Sequence, residues 1–259
     1  MPELPDLEVF AGNLEKRFKN KVLERIEVPV TRKLNVSETE LKEALEGHKL
    51  SAVNREGKTL QLHFGVGNVL GLHLMLHGEL KLLDADSEVK YKVISLHFKG
   101  EEGFALTDFQ KAATPTLNPV HSDVPDALSK EMSFAYLEQV LGKKKAPVKS
   151  VLMDQKVIRG IGNTYADEIL WKAKISPLSV SKAIPGDQVK ALHKAIVEVL
   201  KQEIVDIKRM LPDELGGEIK EFLKIHGAGI KESPTGKKVL MAEIGGRKSY
   251  YTEEQELYK

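Results

Sequence analysis

Leu4, Leu7, Phe10, Leu14 and Phe18 recur at intervals of three and four. That spacing lays one apolar stripe along a helix over residues 4–18. Pro2 and Pro5 fall before or within its first turn, where a proline is tolerated. From Val22 to about Asp108 the period changes. Short alternating or β-branched runs recur at 22–28, 60–64, 69–76, 81–83, 92–98 and 104–107, several separated by glycine-containing turns. This pattern predicts an antiparallel sandwich or barrel, interrupted by helical residues 38–45. Residues 112–130 are rich in Pro, Ser, Asp and Thr and read as a linker. Helical spacing then predicts helices over 134–141, 147–154, 163–172 and 187–210, the last with Asp187 as N-cap, and a further helix over 216–225. Strand-like runs at 237–242 and 247–252 predict a closing hairpin.

Composition adds little to this picture but excludes several classes. The 259 residues suffice for one large or two ordinary domains, and a formal net charge of +1 announces no nucleic-acid partner. Cysteine is absent, so disulfides and thiolate metal sites are excluded. Eight histidines and the carboxylates leave other metal sites open. No run approaches the roughly 18 apolar residues of a membrane span, and no basic stretch leads into an apolar one at the N-terminus. An intracellular, cytoplasmic location without membrane attachment is the default expectation, and a monomer the default state.

Charge is concentrated in one place. Lys143, Lys144, Lys145, Lys149, Lys156 and Arg159 fall in a short stretch opposed only by Asp154. Such a run is more often a solvated helix face; the alternative is a phosphate-binding surface. It leads into Gly160-Ile161-Gly162-Asn163, immediately before an apolar helical pattern. A glycine-rich turn entering a helix exposes backbone N–H groups at the positive end of the helix dipole and suits a phosphate. Alone, such a turn is more often only a tight helix–helix connection.

The longer segment Gly-Ile-Gly-Asn-Thr-Tyr-Ala-Asp-Glu-Ile-Leu, residues 160–170, resembles the helix–two-turn–helix of the formamidopyrimidine-DNA glycosylase and endonuclease VIII family. Met-Pro-Glu-Leu-Pro-Asp-Leu-Glu resembles that family's N-terminus, about 150 residues away, and residues 246–255 resemble its DNA-binding hairpin. The resemblance spans the whole chain. It implies an α+β protein: an N-terminal β-sandwich domain with a flanking helix (1–115), a linker (116–130), a helix–two-turn–helix DNA-binding domain (131–226) and a hairpin finger (227–259). It also implies a DNA base-excision repair enzyme, a bifunctional glycosylase and abasic-site lyase whose partner is damaged DNA, so the protein would associate with the nucleoid. No cofactor is expected.

Site residues follow from the same resemblance. Once Met1 is removed, the secondary amine of Pro2 would be the nucleophile. An α-amino pKa is about 8 rather than the roughly 10 of lysine, so a useful fraction is neutral near pH 7. Taken alone, a proline there most often means a helix start. Glu3 would be the general acid/base at the opened sugar, and Lys58 would contact the phosphates beside the lesion. Asn163, Gly162, Arg247 and Lys156 would hold the DNA backbone, contacts that position without reading sequence.

Two departures from the family pattern stand out. Many members close the finger on zinc with four cysteines; here the corresponding positions are near Ser233, Thr235, Thr252 and Gln255. A zincless finger is therefore expected, held by packing of Tyr250, Tyr251 and Val239. Duplex-acting members also fill the gap left by a flipped base with a Met, an Arg and a Phe. Met75 matches the first, but the other two positions hold Gln110 and Ala112; Lys111 or Phe109 could substitute only if the loop is shifted, which is not assumed. The expectation is a shift towards single-stranded, abasic or otherwise unpaired sites. The alternative reading is a protein that binds abasic or damaged DNA without efficient base excision.

Overall fold

The structure, a computed structural model, describes residues 1–65, 67–83, 88–100 and 102–259. The chain divides into two compact units. One comprises Met1–His121 with Ile207–Ile219, the other Ser122–Asp206 with Lys220–Lys259.

The first unit begins with helix α1 (Leu4–Phe18), whose stripe Leu4, Leu7, Phe10, Leu14 and Phe18 is fully buried. Among the described residues eight strands follow, with helix α2 (Glu38–Leu45) between the first and second: β1 (Leu23–Glu27), β2 (Leu50–Glu56), β3 (Thr59–Phe64), β4 (Asn68–His73), β5 (Glu79–Leu83), β6 (Lys92–Phe98), β7 (Glu102–Thr107) and β8 (Thr114–Leu117). They form two antiparallel four-stranded sheets, ordered β1-β6-β7-β5 and β2-β3-β4-β8. Alternation sets the faces: in β3, Leu60, Leu62 and Phe64 are buried while the residues between them are not. The ring of Phe98 in β6 stacks 4.7 Å from Phe18 of α1 and 6.5 Å from Phe64 of β3. One aromatic cluster thus ties the helix to both sheets, and each such buried ring contributes about 1.5–3 kcal/mol.

The second unit contains α3 (Phe134–Gly142), α4 (Val148–Met153), α5 (Asn163–Lys172), most of α6 (Gly186–Met210) and the hairpin β9 (Leu240–Ile244) with β10 (Arg247–Tyr251). In α6, Val189, Leu192, Ile196 and Leu200 make the buried stripe of this unit. The hairpin turns on Gly245 and Gly246, both at positive φ, between the paired Ile244 and Arg247. Two left-handed residues match the twist of the flanking strands, and glycine adopts them without strain.

Three sequence expectations are corrected, and one strand is added. The segment read as a linker starts with a strand, β8, which pairs with β4 and buries Pro115 and Leu117. Strand β2 carried too little alternation to be read at all. Helix α6 starts at Gly186, so Asp187 lies in its first turn, facing the positive end of the dipole rather than capping it. Residues 216–225 form no helix. A Cβ on Gly216 would stand 2.9 Å from the Leu80 carbonyl oxygen, and Gly217 has φ +84°. The N–H groups of Lys224, Ile225 and His226 all donate to the Glu168 carboxylate instead of to helical carbonyls.

Candidate active site

The N-terminus of the first unit enters a cavity of about 760 Å³. Met1 and Pro2 line it together with Leu76, His77, Tyr91 and Phe109, and with Gly217 and Glu218. The terminal amino group of Met1 donates to Glu218 Oε2 at 2.9 Å. Pro2 and Glu3 are buried. Glu3 caps α1 in a reciprocal box: its backbone N–H donates to Asp6 Oδ2 at 2.8 Å, and its own side chain accepts from the Asp6 backbone. The two prolines before and within the first turn forgo N–H groups that a helix start leaves without helical partners.

Asp6 is fully buried, and its second oxygen accepts from Ile219 N–H at 3.2 Å. Burial wins over these two hydrogen bonds and pushes its carboxyl up to about 8. Between pH 3.8 and about 8 the folded chain therefore holds a proton that the unfolded chain has released. Its contribution to stability falls as pH rises through that window, by up to about 1.4 kcal/mol per pH unit. Asp6→Asn is expected to remove this slope. Urea unfolding at several pH values across the window checks it; coincident slopes for the two proteins would contradict the assignment.

Lys58 occupies the two-residue turn between β2 and β3, after Gly57, and is only 9% exposed. Its charge, second to burial, lowers the pKa of His73 at the end of β4. Neutral His73 can then accept, through Nδ1, the N–H of Met75 at 3.1 Å. Met75 is exposed and adopts a left-handed φ of 58°, a conformation costing a non-glycine residue about 1 kcal/mol. Gly78 closes this turn: its N–H donates to the Leu74 carbonyl, and a Cβ there would lie 2.0 Å from that oxygen. His73 was given no role in the sequence reading, although it opens the His-Leu-Met-Leu-His-Gly segment that contains Met75. Gln110 and Ala112 sit on the loop after β7, which is organised by buried Asp108. Its carboxylate accepts the N–H groups of Gln110, Ala112 and Ala113 at 2.8–2.9 Å.

In the second unit Gly162 is the extended N-cap of α5, and Asn163 is its first helical residue. The Asn163 amide donates to the Lys248 carbonyl at 3.2 Å, which joins the helix start to the hairpin. Arg247 opens β10 and is exposed, as is Lys156. The basic run splits. Lys143, Lys144 and Lys145 are exposed, but Lys149 is fully buried, so it belongs neither to a solvated face nor to a phosphate surface. Its ammonium lies 2.7 Å from Asp167 Oδ1 and donates to Ser249 Oγ at 2.8 Å. Asp167 Oδ2 in turn accepts from His226 Nδ1 at 2.7 Å and Tyr250 N–H at 2.9 Å. Arg159 is also engaged structurally, through Nε to the Val124 carbonyl.

Two family models match the chain: the formamidopyrimidine-DNA glycosylase N-terminal domain over residues 1–114, and the helix–two-turn–helix domain of the same glycosylase over residues 124–211. The chain belongs to the formamidopyrimidine-DNA glycosylase family. Among curated relatives, the formamidopyrimidine-DNA glycosylase of Desulforamulus reducens is 28% identical over 269 residues, covering 97% of each chain. That of Chloroflexus aurantiacus is 29% identical over 219 residues, 80% of this chain and 77% of the relative. A solved complex of Lactococcus lactis Fpg with DNA containing an abasic site shares the fold, with TM-score 0.87, 24% identity, and coverage of 98% of this chain and 99% of that one. The wild-type Lactococcus lactis protein with a DNA containing N7-benzyl-Fapy-dG matches at TM-score 0.86 and 25% identity, over 98% and 100% of the two chains.

As a zincless member of the formamidopyrimidine-DNA glycosylase family, the chain closes its finger with hydrogen bonds. Ser233 Oγ and Thr235 Oγ1 are 2.7 Å apart, and Thr235 and Thr252 both donate to Glu254 Oε2, at 2.7 and 3.2 Å. Gln255 Oε1 accepts the Thr252 N–H at 2.8 Å, and its amide donates to the Ile175 carbonyl at 2.8 Å. The Thr235 hydroxyl, then Lys174, hold the Glu254 carboxyl down at about 2. Sequence reading expected packing of Tyr250, Tyr251 and Val239. Tyr250 does meet His226 edge-on at 5.1 Å, but this polar cluster and the buried Lys149–Asp167 pair were not foreseen.

Proposed function

We propose that this chain is a bifunctional DNA glycosylase of base-excision repair that also cleaves the strand at abasic sites, with Pro2 as nucleophile. The observation that carries the reading is the placement of the N-terminus: Met1 and Pro2 line a large cavity. A cavity of 300–1,000 Å³ is the usual size of a small-ligand site. Removal of Met1, which a small second residue permits, leaves the Pro2 secondary amine about one residue, 3.8 Å of chain, further along.

The chemistry follows from that amine. Its lone pair attacks the deoxyribose C1′, the C1′–N bond breaks, and the damaged base leaves with the electron pair and takes up the proton that the Pro2 nitrogen releases. Glu3 protonates the ring oxygen as the sugar opens, giving an iminium at C1′. The iminium acidifies the C2′ proton; its loss expels the 3′ phosphate and cuts the strand. Lys58 would hold the phosphates beside the lesion. Met75 would enter the gap left by an extruded base. Gly162, Asn163, Arg247 and Lys156 would hold the backbone, and binding through them weakens with salt.

Gln110 and Ala112 favour unpaired substrates. Extruding a base from a duplex costs a few kcal/mol, least where it is already unpaired, and neither side chain supplies an arginine or an aromatic wedge to offset that cost. Cleavage of one oxidised base is expected to be faster in a single-stranded oligonucleotide than in the matching duplex; a strong duplex preference would sink this part of the proposal. The same two residues favour a second reading, binding of abasic DNA without excision, and release of the free base in that assay decides between the two.

A further inference from the structure

The loop after β7 is rigid, yet it leaves its largest apolar side chain in solvent. Asp108 is buried, and besides its three carboxylate bonds its carbonyl accepts the Lys111 N–H at 3.0 Å and its own N–H donates to the Tyr91 carbonyl at 2.9 Å. The next residue, Phe109, is 57% exposed. Its ring lies 4.7 Å from exposed His77, tilted by 43°, and both line the cavity that holds Pro2. Core packing does not account for this placement: the backbone bonds of Asp108 fix the loop, and the outer part of the Phe109 ring meets water. An aromatic held at the rim of a site by a preorganised loop is suited to accept another π-face. Lys81 and Lys90 line the same cavity, as do Glu79, Glu88 and Glu218, and Lys111 is exposed on the loop itself.

We infer that Phe109, backed by His77, is a stacking platform for the nucleobase next to the lesion in an unpaired strand. The inference rests on the proposed function for the identity of the ligand as DNA. A duplex keeps that neighbouring base in its own stack, so the platform benefits only substrates whose flanking base is free to turn. The rim position fits this role, because the target sugar must reach deeper, to Pro2, while the adjacent base stays at the mouth. Stacking of a base on an aromatic side chain tolerates every sequence, since each base has a π-face.

The test is the affinity of the Met1-processed protein for a single-stranded oligonucleotide carrying one tetrahydrofuran abasic analogue, which cannot be cleaved. Phe109→Ala is expected to weaken binding by about tenfold, and Phe109→Trp to restore it. Removing the bases that flank the analogue, by making those positions tetrahydrofuran as well, should weaken the wild type and abolish the difference between wild type and Phe109→Ala. Thermal melting of each variant separates a folding defect from lost stacking, because a folding defect is not rescued by Trp and ignores the flanking bases. A change below about twofold for Phe109→Ala, or an equal loss with and without flanking bases, overturns the inference. Borohydride trapping on an ordinary abasic oligonucleotide is run alongside: wild type that binds with Phe109 dependence but does not trap overturns the Pro2 chemistry and leaves the stacking platform standing.

Discussion

An N-terminal extension that turns the Pro2 nitrogen into an amide is expected to lower strand cleavage at an abasic site by about 10³-fold or more, the scale on which removal of a covalent nucleophile acts. The lone pair of an amide nitrogen is delocalised into the carbonyl and does not attack C1′. Pro2→Gly is expected to fall less far, because it leaves a primary amine; the imine it forms must take up a proton before it becomes an electron sink, whereas the proline iminium is cationic from the start. Single-turnover cleavage with processed, extended and Pro2→Gly chains measures both effects. The extension adds residues beside Glu218, which already meets the Met1 amine, so affinity for the tetrahydrofuran oligonucleotide is measured in parallel to separate blocked chemistry from blocked binding. An extended chain that cleaves as fast as the processed one would contradict the nucleophile assignment.

The second large effect concerns the finger. Asp167→Ala removes the carboxylate that faces Lys149, His226 and the Tyr250 N–H, all within 2.9 Å. The fully buried Lys149 ammonium then loses its facing carboxylate, while Ser249 Oγ and the Lys248 carbonyl still accept from it. Leaving a buried charge without its counterion costs about 3–5 kcal/mol. Trp171, the single tryptophan, lies in the second unit on α5, four residues from Asp167, so its fluorescence during urea unfolding reports the loss where it occurs. The double variant Asp167→Ala/Lys149→Met removes the stranded charge and is expected to recover part of the stability. A loss below about 1 kcal/mol for Asp167→Ala would show that the pair does not hold the finger.

Helix α1 was legible because its apolar stripe follows one period and is buried as such. Strand β6 and helix α5 also have the bounds that the sequence predicts, although residues 93–96 and 164–170 are buried without a break. Strand β2 was invisible because only Leu50 and Val53 are buried; its strand character comes from pairing with β3, Val53 opposite Leu62, and from α1 packed over it. Strand β8 hid behind Pro115, which an edge strand tolerates since one side of its backbone needs no partner. Lys149 shows the limit of reading charge. In sequence it is one of six cations in a run, and only tertiary contact with Asp167 and the hairpin turns it inward.

The site divides the same way. Pro2, Glu3 and Asn163 could be put forward as candidates because they sit in short motifs. Other features could not: His73 under the Met75 N–H and the carboxylate of Asp108 under its loop are short-range contacts that depend on the path of each turn, and the Phe109–His77 contact joins segments that are separate in the chain. The polar cluster that replaces zinc was half visible. Ser233, Thr235, Thr252 and Gln255 marked the positions, but Glu254, which three-dimensional proximity makes the acceptor for two of them, carried no signal.

The most direct test of the central claim is to reduce the processed protein with borohydride on an abasic oligonucleotide, digest the adduct and locate the crosslink by mass spectrometry. The account predicts one adduct, on the N-terminal peptide that begins at Pro2, with none in a chain whose Pro2 nitrogen is an amide. An adduct on a lysine such as Lys58, or no adduct from a protein shown to have lost Met1, would contradict it.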